Sequence, residues 1–335
     1  MKPVLCFGDV CPDIIIPYGL AKRQKLGEEV NPNALLVKAG CGGSVGNTSV
    51  GIARQGVPVK FLGVAGDDSF GRMLRADLER EGVDVSLMRL SLDCSTVLIL
   101  IIVDENGDRT TFAYPKTGAS QHQIPPSLVP DGIEREISWF HSTGMTLREN
   151  PAAETQLSLM KRCHEANIPV SLDVNARIES FRDPLFFDNL QRALPYCSVI
   201  LGSAEDEICA AAGIHEPEKA ALSLQSLGKI VVARRGEQGA KLYHDGKQAS
   251  SPAFPVPVSD TVGAGDAYNA GFICAVLKGA SLDNANRHAC ATASYSVSQA
   301  GGHGTPTCDQ LKAFVGNSPE FNSLLIDEAL FKTYN

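Results

Sequence analysis

Residues 260–272 read DTVGAGDAYNAGF, and an apolar run, AYNAGFICAVLKG (267–279), begins inside the stretch. The pattern predicts a helix that starts near Ala264. The backbone amides of Gly263, Ala264, Gly265 and Asp266 are then the free N–H groups of its first turn. Glycine permits positive φ and lets a ligand lie against the backbone. Free amides and the helix dipole together favour an anion. No lysine follows the turn, so it is not a P-loop. A carboxylate such as Asp266 binds anions poorly but removes a proton from a hydroxyl well. Base and anion hole side by side are what phosphoryl transfer to an alcohol requires.

Around this stretch, apolar runs of strand length alternate with amphipathic helical patterns. VLCFG (4–8), VKFLGVAG (59–66), WFHSTG (139–144), IPVSLDV (168–174), SVILGS (198–203) and KIVVARRG (229–236) read as buried strands. GNTSVGIARQG (46–56), FGRMLRADLEREG (70–82), ETQLSLMKRCHEAN (154–167) and EKAALSLQSLG (218–228) read as helices between them. Alternation of this kind predicts an α/β fold with a mostly parallel central sheet covered by helices on both faces. Two regions break the pattern, 10–38 and 94–118. In the second, TVLILIIV and RTTFAY flank an Asn-Gly turn, a hairpin signal. Together they predict a small antiparallel β lid inserted into one α/β domain that spans 1–335. The polar tail from Asn317 reads as a terminal helix.

Composition narrows the classes. Hydrophobic residues make up 44% of the 335, enough for a sizeable core, and the net charge of −8 argues against nucleic-acid or anionic-membrane partners. The ten cysteines form no CxxC pair and no zinc-spaced cluster, which predicts buried thiols in a reducing, cytoplasmic setting. The N-terminal MKPVLCFGD does not read as a signal peptide, and no run of about 18 apolar residues predicts a membrane span.

DTVGAGDAYNAGF resembles the C-terminal signature of the ribokinase-like (PfkB) family of carbohydrate kinases. GCGGSVGNTSVGIARQGVPVKFLGVAGDDSFG (40–71) resembles its N-terminal signature, and the hairpin, DVNAR (173–177), RGEQGA (235–240) and AGGHGTP (300–306) fall in family order. The resemblance implies ATP-dependent transfer of a phosphoryl group to a sugar hydroxyl, with Asp266 as base and the Gly263, Ala264 and Gly265 amides as anion hole. It implies that Asp13, Gly42, Gly43 and Asn47 hold sugar hydroxyls. Arg234 (preferred to Arg235), Gly236 and Gly239 fall near the nucleotide, and the helix around Arg287–Ser296 near the adenine. Asp260, Val262, Ser296, Gln299, Gly301 and Thr305 match a K⁺-type cation site. The family's Asn-x-x-Glu, whose glutamate organises Mg²⁺ indirectly, has no asparagine here. VILGSAEDEICAAAG (199–213) offers Ala204 with Glu207, or Gly202 with Glu205, and the distance to Gly213 favours Glu207.

For the substrate, DVNAR resembles the DxNxR of members acting on fructose or 2-keto-3-deoxygluconate, so Arg177 is a candidate partner for a substrate carboxylate or for ATP phosphates. Ser44, where phosphosugar-binding members often carry lysine, argues against a phosphosugar. Tyr114 and Lys116 are placed to close over the substrate, whereas Asp108–Arg109 reads as turn chemistry. Two alternatives stay open: a nucleoside kinase of the same fold, with Tyr18, Phe112 and Tyr114 stacking on a base, and a catalytically weak sugar-binding or regulatory relative. The family often dimerises through the lid sheet, so a homodimer is expected.

Overall fold

Apolar runs bounded by glycine or polar residues become strands because both faces of a parallel sheet are covered. The computed structural model describes residues 1–106, 108–115, 118–176, 183–299 and 301–316. The first half contains β1 (Val4–Phe7), β2 (Cys11–Ile16), α1 (Tyr18–Lys25), β3 (Lys38–Gly42), α2 (Ser44–Arg54), β4 (Val59–Gly66), α3 (Ser69–Arg80), β5 (Asp84–Ser91), β6 (Leu98–Val103), β7 (Arg109–Tyr114) and β8 (Trp139–Thr143). The second contains α4 (Ala152–Glu165), β9 (Val170–Asp173), α5 (Pro184–Ala193), β10 (Val199–Ser203), α6 (Cys209–Ala212), α7 (Pro217–Gln225), β11 (Ile230–Arg234), β12 (Ala240–His244), β13 (Lys247–Ser251), α8 (Ala264–Leu277), α9 (Leu282–Val297) and α10 (Cys308–Gly316).

Nine strands form the main sheet in the order β13-β12-β11-β10-β9-β8-β1-β4-β5. From β11 to β5 every pairing is parallel, and β12 and β13 close one edge antiparallel. Alternate side chains feed two cores. Val4 and Cys6 enter one, Leu5 and Phe7 the other. Strand order reverses between β1 and β8, and ligands of open α/β sheets bind outside the strand ends at such a point.

The small sheet, β3-β2-β6-β7, has antiparallel outer pairs and a parallel central pair, β2 with β6. Its strands lie within 11–42 and 98–114, so β3 runs past the expected 10–38, and a helix separates β2 from β3. The polar sequence of α1 hides it: only Gly19 is buried. A Cβ on Gly19 would meet the Asp104–Glu105 backbone at 2.1 Å, and Lys22 pairs with Glu105 at 3.1 Å, so α1 props the hairpin tip. Within the tip, Asp104 Oδ1 accepts from the Asn106 and Asp108 amides. Gly107 of the Asn-Gly turn, Lys116 and the tail from Asn317 lie outside the described residues.

Helix α8 is apolar on nearly every side and is clamped between α2 and α9. A Cβ on Gly51 would lie 2.6 Å from Ala270, and one on Gly271 2.7 Å from Thr292 Oγ1. This close approach carries the first turns of α2 and α8 to one point. No described helix is long and apolar enough to cross a membrane. All ten cysteines are free and eight are buried.

Candidate active site

Gly263 caps α8 in the left-handed region, φ 79°, and a Cβ there would strike the Gly302 carbonyl at 2.6 Å. No side chain of its own caps the helix. The Ala264 amide makes a long turn bond, 3.4 Å, to Thr261 O. Ala267 N is the first to close a regular helical bond, to Gly263 O, so the Gly265 and Asp266 amides stand in the open first turn. Half-buried Asp266 accepts at Oδ1 from Ser44 Oγ and at Oδ2 from Asn47 Nδ2, both at 2.8 Å. Burial pushes its carboxyl up to about 7. The Asn47 and Ser44 hydrogen bonds oppose this, and the charges of Asp173 and Asp9 add to it.

The start of α2 is built differently. Gly43, φ 89°, passes so close to Val10 that a Cβ would meet its Cα at 2.6 Å. Asp9, buried after β1, takes the Ser44 amide at 2.8 Å and the Val45 amide at 3.3 Å. Burial nonetheless holds the Asp9 carboxyl above its usual range. The Asp13 carboxylate lies over Gly42, where a Cβ would meet Oδ2 at 2.7 Å. Burial, then Asp260 and Asp9, push Asp13 up to about 6. Asn47 is 4% exposed, and its Oδ1 makes no hydrogen bond among the described residues. That buried acceptor lacks a donor of the kind a sugar hydroxyl supplies.

Beneath α8 lies a charged cluster at the carboxyl ends of β9, β10 and β11. Arg234 grips Asp173 with both terminal nitrogens, at 2.9 and 2.7 Å, and also donates to Gly265 O and Asn269 Oδ1 at 3.1 Å. Burial opposes its charge, but Asp173 and Glu207 more than restore it. A Cβ on Gly265 would meet Arg234 Nη1 at 2.9 Å, so the guanidinium backs the open turn directly. Glu207 accepts from the Ser203 and Ala176 amides at 2.6 and 3.1 Å and faces Arg234 at 3.4 Å. Burial, then Asp173, holds it above the usual carboxylate range. It sits on a π-helical turn, Ala204–Ile208, a distortion often found at functional sites. Of the two registers, Glu207 is inside and Glu205 exposed, with buried Ala204 at the missing asparagine's place. Arg235 instead turns outward to Gln238.

Other candidates scatter. Gly236 opens on a cavity of about 470 Å³ lined also by Ser203, Glu205, Arg234 and Lys241. Gly239 answers a packing demand, since a Cβ would meet Ser251 O at 2.0 Å. Asp260 bonds the Val262 and Gly301 amides at 3.1 and 3.3 Å. Exposed Gln299 and buried Ser296 form one turn, Gln299 N to Ser296 O, while Thr305 O accepts from Arg54. The cation candidates therefore share one neighbourhood around Asp260, with the Ser296 and Thr305 carbonyls already engaged. Arg109 does more than turn chemistry: from β7 it approaches Asp260 at 3.9 Å. Tyr114 is exposed on β7, and Arg177 lies outside the described residues. The inner face of α9 packs on α8 and β13: Asn286 bonds Tyr268 and the Ala249 carbonyl, and Ser294 caps Phe254 N.

Sequence reasoning gave no role to Asp9, Asp173 or Asn269 and missed Ser44 as a partner of Asp266. Two signals were available: an aspartate ending a core strand, and an asparagine inside an apolar helix.

The chain matches the family described as pfkB family carbohydrate kinase over residues 1–308. It is 31% identical to a fructokinase of Klebsiella pneumoniae over 246 residues, 72% of this chain and 79% of the relative. The structure of aminoimidazole riboside kinase from Salmonella enterica, complexed with aminoimidazole riboside and an ATP analog, superposes with a TM-score of 0.76 at 26% identity, covering 94% of this chain and all of that one. A fructokinase from Vibrio cholerae O395, bound to fructose, ADP and potassium, does so at 0.79 and 23% identity, covering 94% and 98%. Two helix starts meeting at a carboxylate poised near neutrality, on a chain matched almost from end to end, place this protein in the pfkB family of carbohydrate kinases.

Proposed function

We propose that the chain acts as one catalytic domain that phosphorylates a hydroxyl of a sugar or sugar acid, of ketose or 2-keto-3-deoxy acid type, with ATP. The observation that carries the reading is Asp266, a carboxyl pushed up to about 7 at the mouth of an open helix turn backed by Arg234. A base near neutrality is strong enough to take a hydroxyl proton and is still substantially ionised at pH 7. Asp13 and Asn47 orient the acceptor sugar, and Asn47 Oδ1 takes one of its hydroxyls. Ser44 gives up Asp266 Oδ1 to the attacking hydroxyl. The proton passes to Asp266 while the transferring phosphoryl group lies against the amides of 263–266.

ATP enters from the Gly236 side, and Mg²⁺ bound with it shares the phosphate charge. Both Glu207 oxygens already accept amide protons, which suits an indirect role in positioning that ion. Asp260 with its neighbours is the part of the chain that fits a K⁺-type cation. The small sheet closes over the sugar. Its exposed Phe112 and Tyr114, with Val37 just before β3, favour pairing with a second copy, and ten unpaired cysteines favour a cytoplasmic setting.

A coupled ADP assay over hexoses, ketoses, sugar acids and nucleosides tests the reading. Turnover fastest on a ketose or sugar acid is expected. Turnover confined to nucleosides would transfer the assignment to the nucleoside reading, which the exposed lid aromatics favour. Saturable sugar binding without ADP formation would overturn a kinase.

A further inference from the structure

Behind the loop that roofs the site, donors converge from two parts of the fold. Asp77 lies on α3 and Glu81 caps its C-terminus one turn on, and His303 comes from the 301–305 loop. One ligand atom from each lies within 4.8 Å of the others. The Asp77 side chain is 7% exposed, and its Oδ2 makes no hydrogen bond among the described residues, although His303 Nδ1 faces it at 3.3 Å. The Cys41 thiol on β3 adjoins the same carboxylate but lies outside the cluster of ligand atoms. A buried carboxylate oxygen facing an imidazole nitrogen out of hydrogen-bond alignment is the arrangement a shared electrophile relieves.

We propose that Asp77, Glu81 and His303 form a binding site for a zinc-type divalent transition ion. Imidazole with two carboxylates suits Zn²⁺ or Co²⁺ better than Mg²⁺ or Ca²⁺, and leaves a fourth position for water. Two arginines face the cluster. Arg54 holds Glu81 Oε2 at 2.7 Å and the His303 and Thr305 carbonyls at 2.5 and 3.1 Å, so it orients two ligands from outside. Arg80, whose side chain is 69% exposed, pairs with Asp77 Oδ1 and is free to swing into solvent when an ion arrives. The site also has a route to the chemistry. Gly302, next to His303, packs against Asn47 and Gly263. An ion here ties the end of α3 to the loop that roofs the active site.

The test uses the full chain stripped with chelator, then equilibrium dialysis against Zn²⁺ alone and absorption spectra with Co²⁺. One Zn²⁺ per chain is expected at micromolar or lower free metal, with a rise in Tm. Glu81→Gln, which keeps the Arg54 hydrogen bond, and His303→Gln should each weaken binding by about tenfold or more. The Co²⁺ complex should show the visible d–d bands of a low-coordinate nitrogen and oxygen site, which His303→Gln weakens. Circular dichroism confirms that each variant folds. Absence of binding, or stoichiometric binding unchanged in both Glu81→Gln and His303→Gln, overturns the site. None of these readouts depends on kinase turnover.

Discussion

Helices α2 and α8 begin alike and are finished differently. Each follows a glycine with positive φ that no larger residue could replace without collision. At α2 the open amides are answered from within, by the buried carboxylate of Asp9. At α8 no carboxylate comes, and the group behind the turn is a guanidinium. One helix start is a closed structural joint. The other remains a receptor for negative charge. The glycine-rich sequence that looks like a ligand loop is thus only half of the information; the charge its neighbours bring decides which loop binds.

The largest break in this comparison comes from Asp266→Asn. It should lower kcat by about 10²–10⁴ while ATP still binds, read by steady-state kinetics and calorimetry. A carboxyl whose folded pKa is raised destabilises the fold progressively as pH climbs from the unfolded value toward about 7. The asparagine variant should therefore unfold at higher urea than the parent above pH 7, and the difference should vanish at pH 4. Turnover near that of the parent would remove Asp266 from its role as base.

A smaller effect separates the two joints. Gly263→Ala forces a left-handed alanine, costing about 1–2 kcal/mol before its collision with Gly302, and should also depress kcat. Asp9→Ala should cost a similar 0.5–2 kcal/mol, the usual value of a lost helix cap, with a much smaller loss of ATP affinity. Urea melts and ATP titrations read both; equal losses of ATP affinity would erase the distinction. The smallest effect is a shift in pH. Activity should fall as pH drops below about 7, as Asp266 takes a proton. The Ser44 hydrogen bond favours the carboxylate, so Ser44→Ala should move that acid limb to higher pH. A limb that stays in place, or moves down, would deny Ser44 its hold on the base.

Much of the scaffold was legible because the core strands are apolar on both faces and end at glycine or polar residues. β5 was not: in DVSLMRLS buried and exposed positions alternate beside charged residues. The β12–β13 hairpin is half polar for the same edge-strand reason, and α1 buries only a glycine. The turn carrying Asp266 could be read from local glycine spacing. Its electrostatics could not. Asp173 meets Arg234 across 61 residues and Asn269 across 96, and no local pattern announces such partners. Helix length favours Glu207, and the structure turns it inward, but no local pattern announces the π-turn that aims it.

The span of these bonds has a consequence for synthesis. Ser44 reaches Asp266 across 222 residues, Asn47 across 219, and Arg54 reaches the roof loop across 249. Loop closure on that scale comes late, after local helices and neighbouring strands have formed. A nascent chain still short of α8 lacks the Asp266 carboxyl that Ser44 and Asn47 hold in the folded protein. The junction of α2 with α8 is thus among the last parts of the fold to close, and it closes only once the C-terminal helices are made.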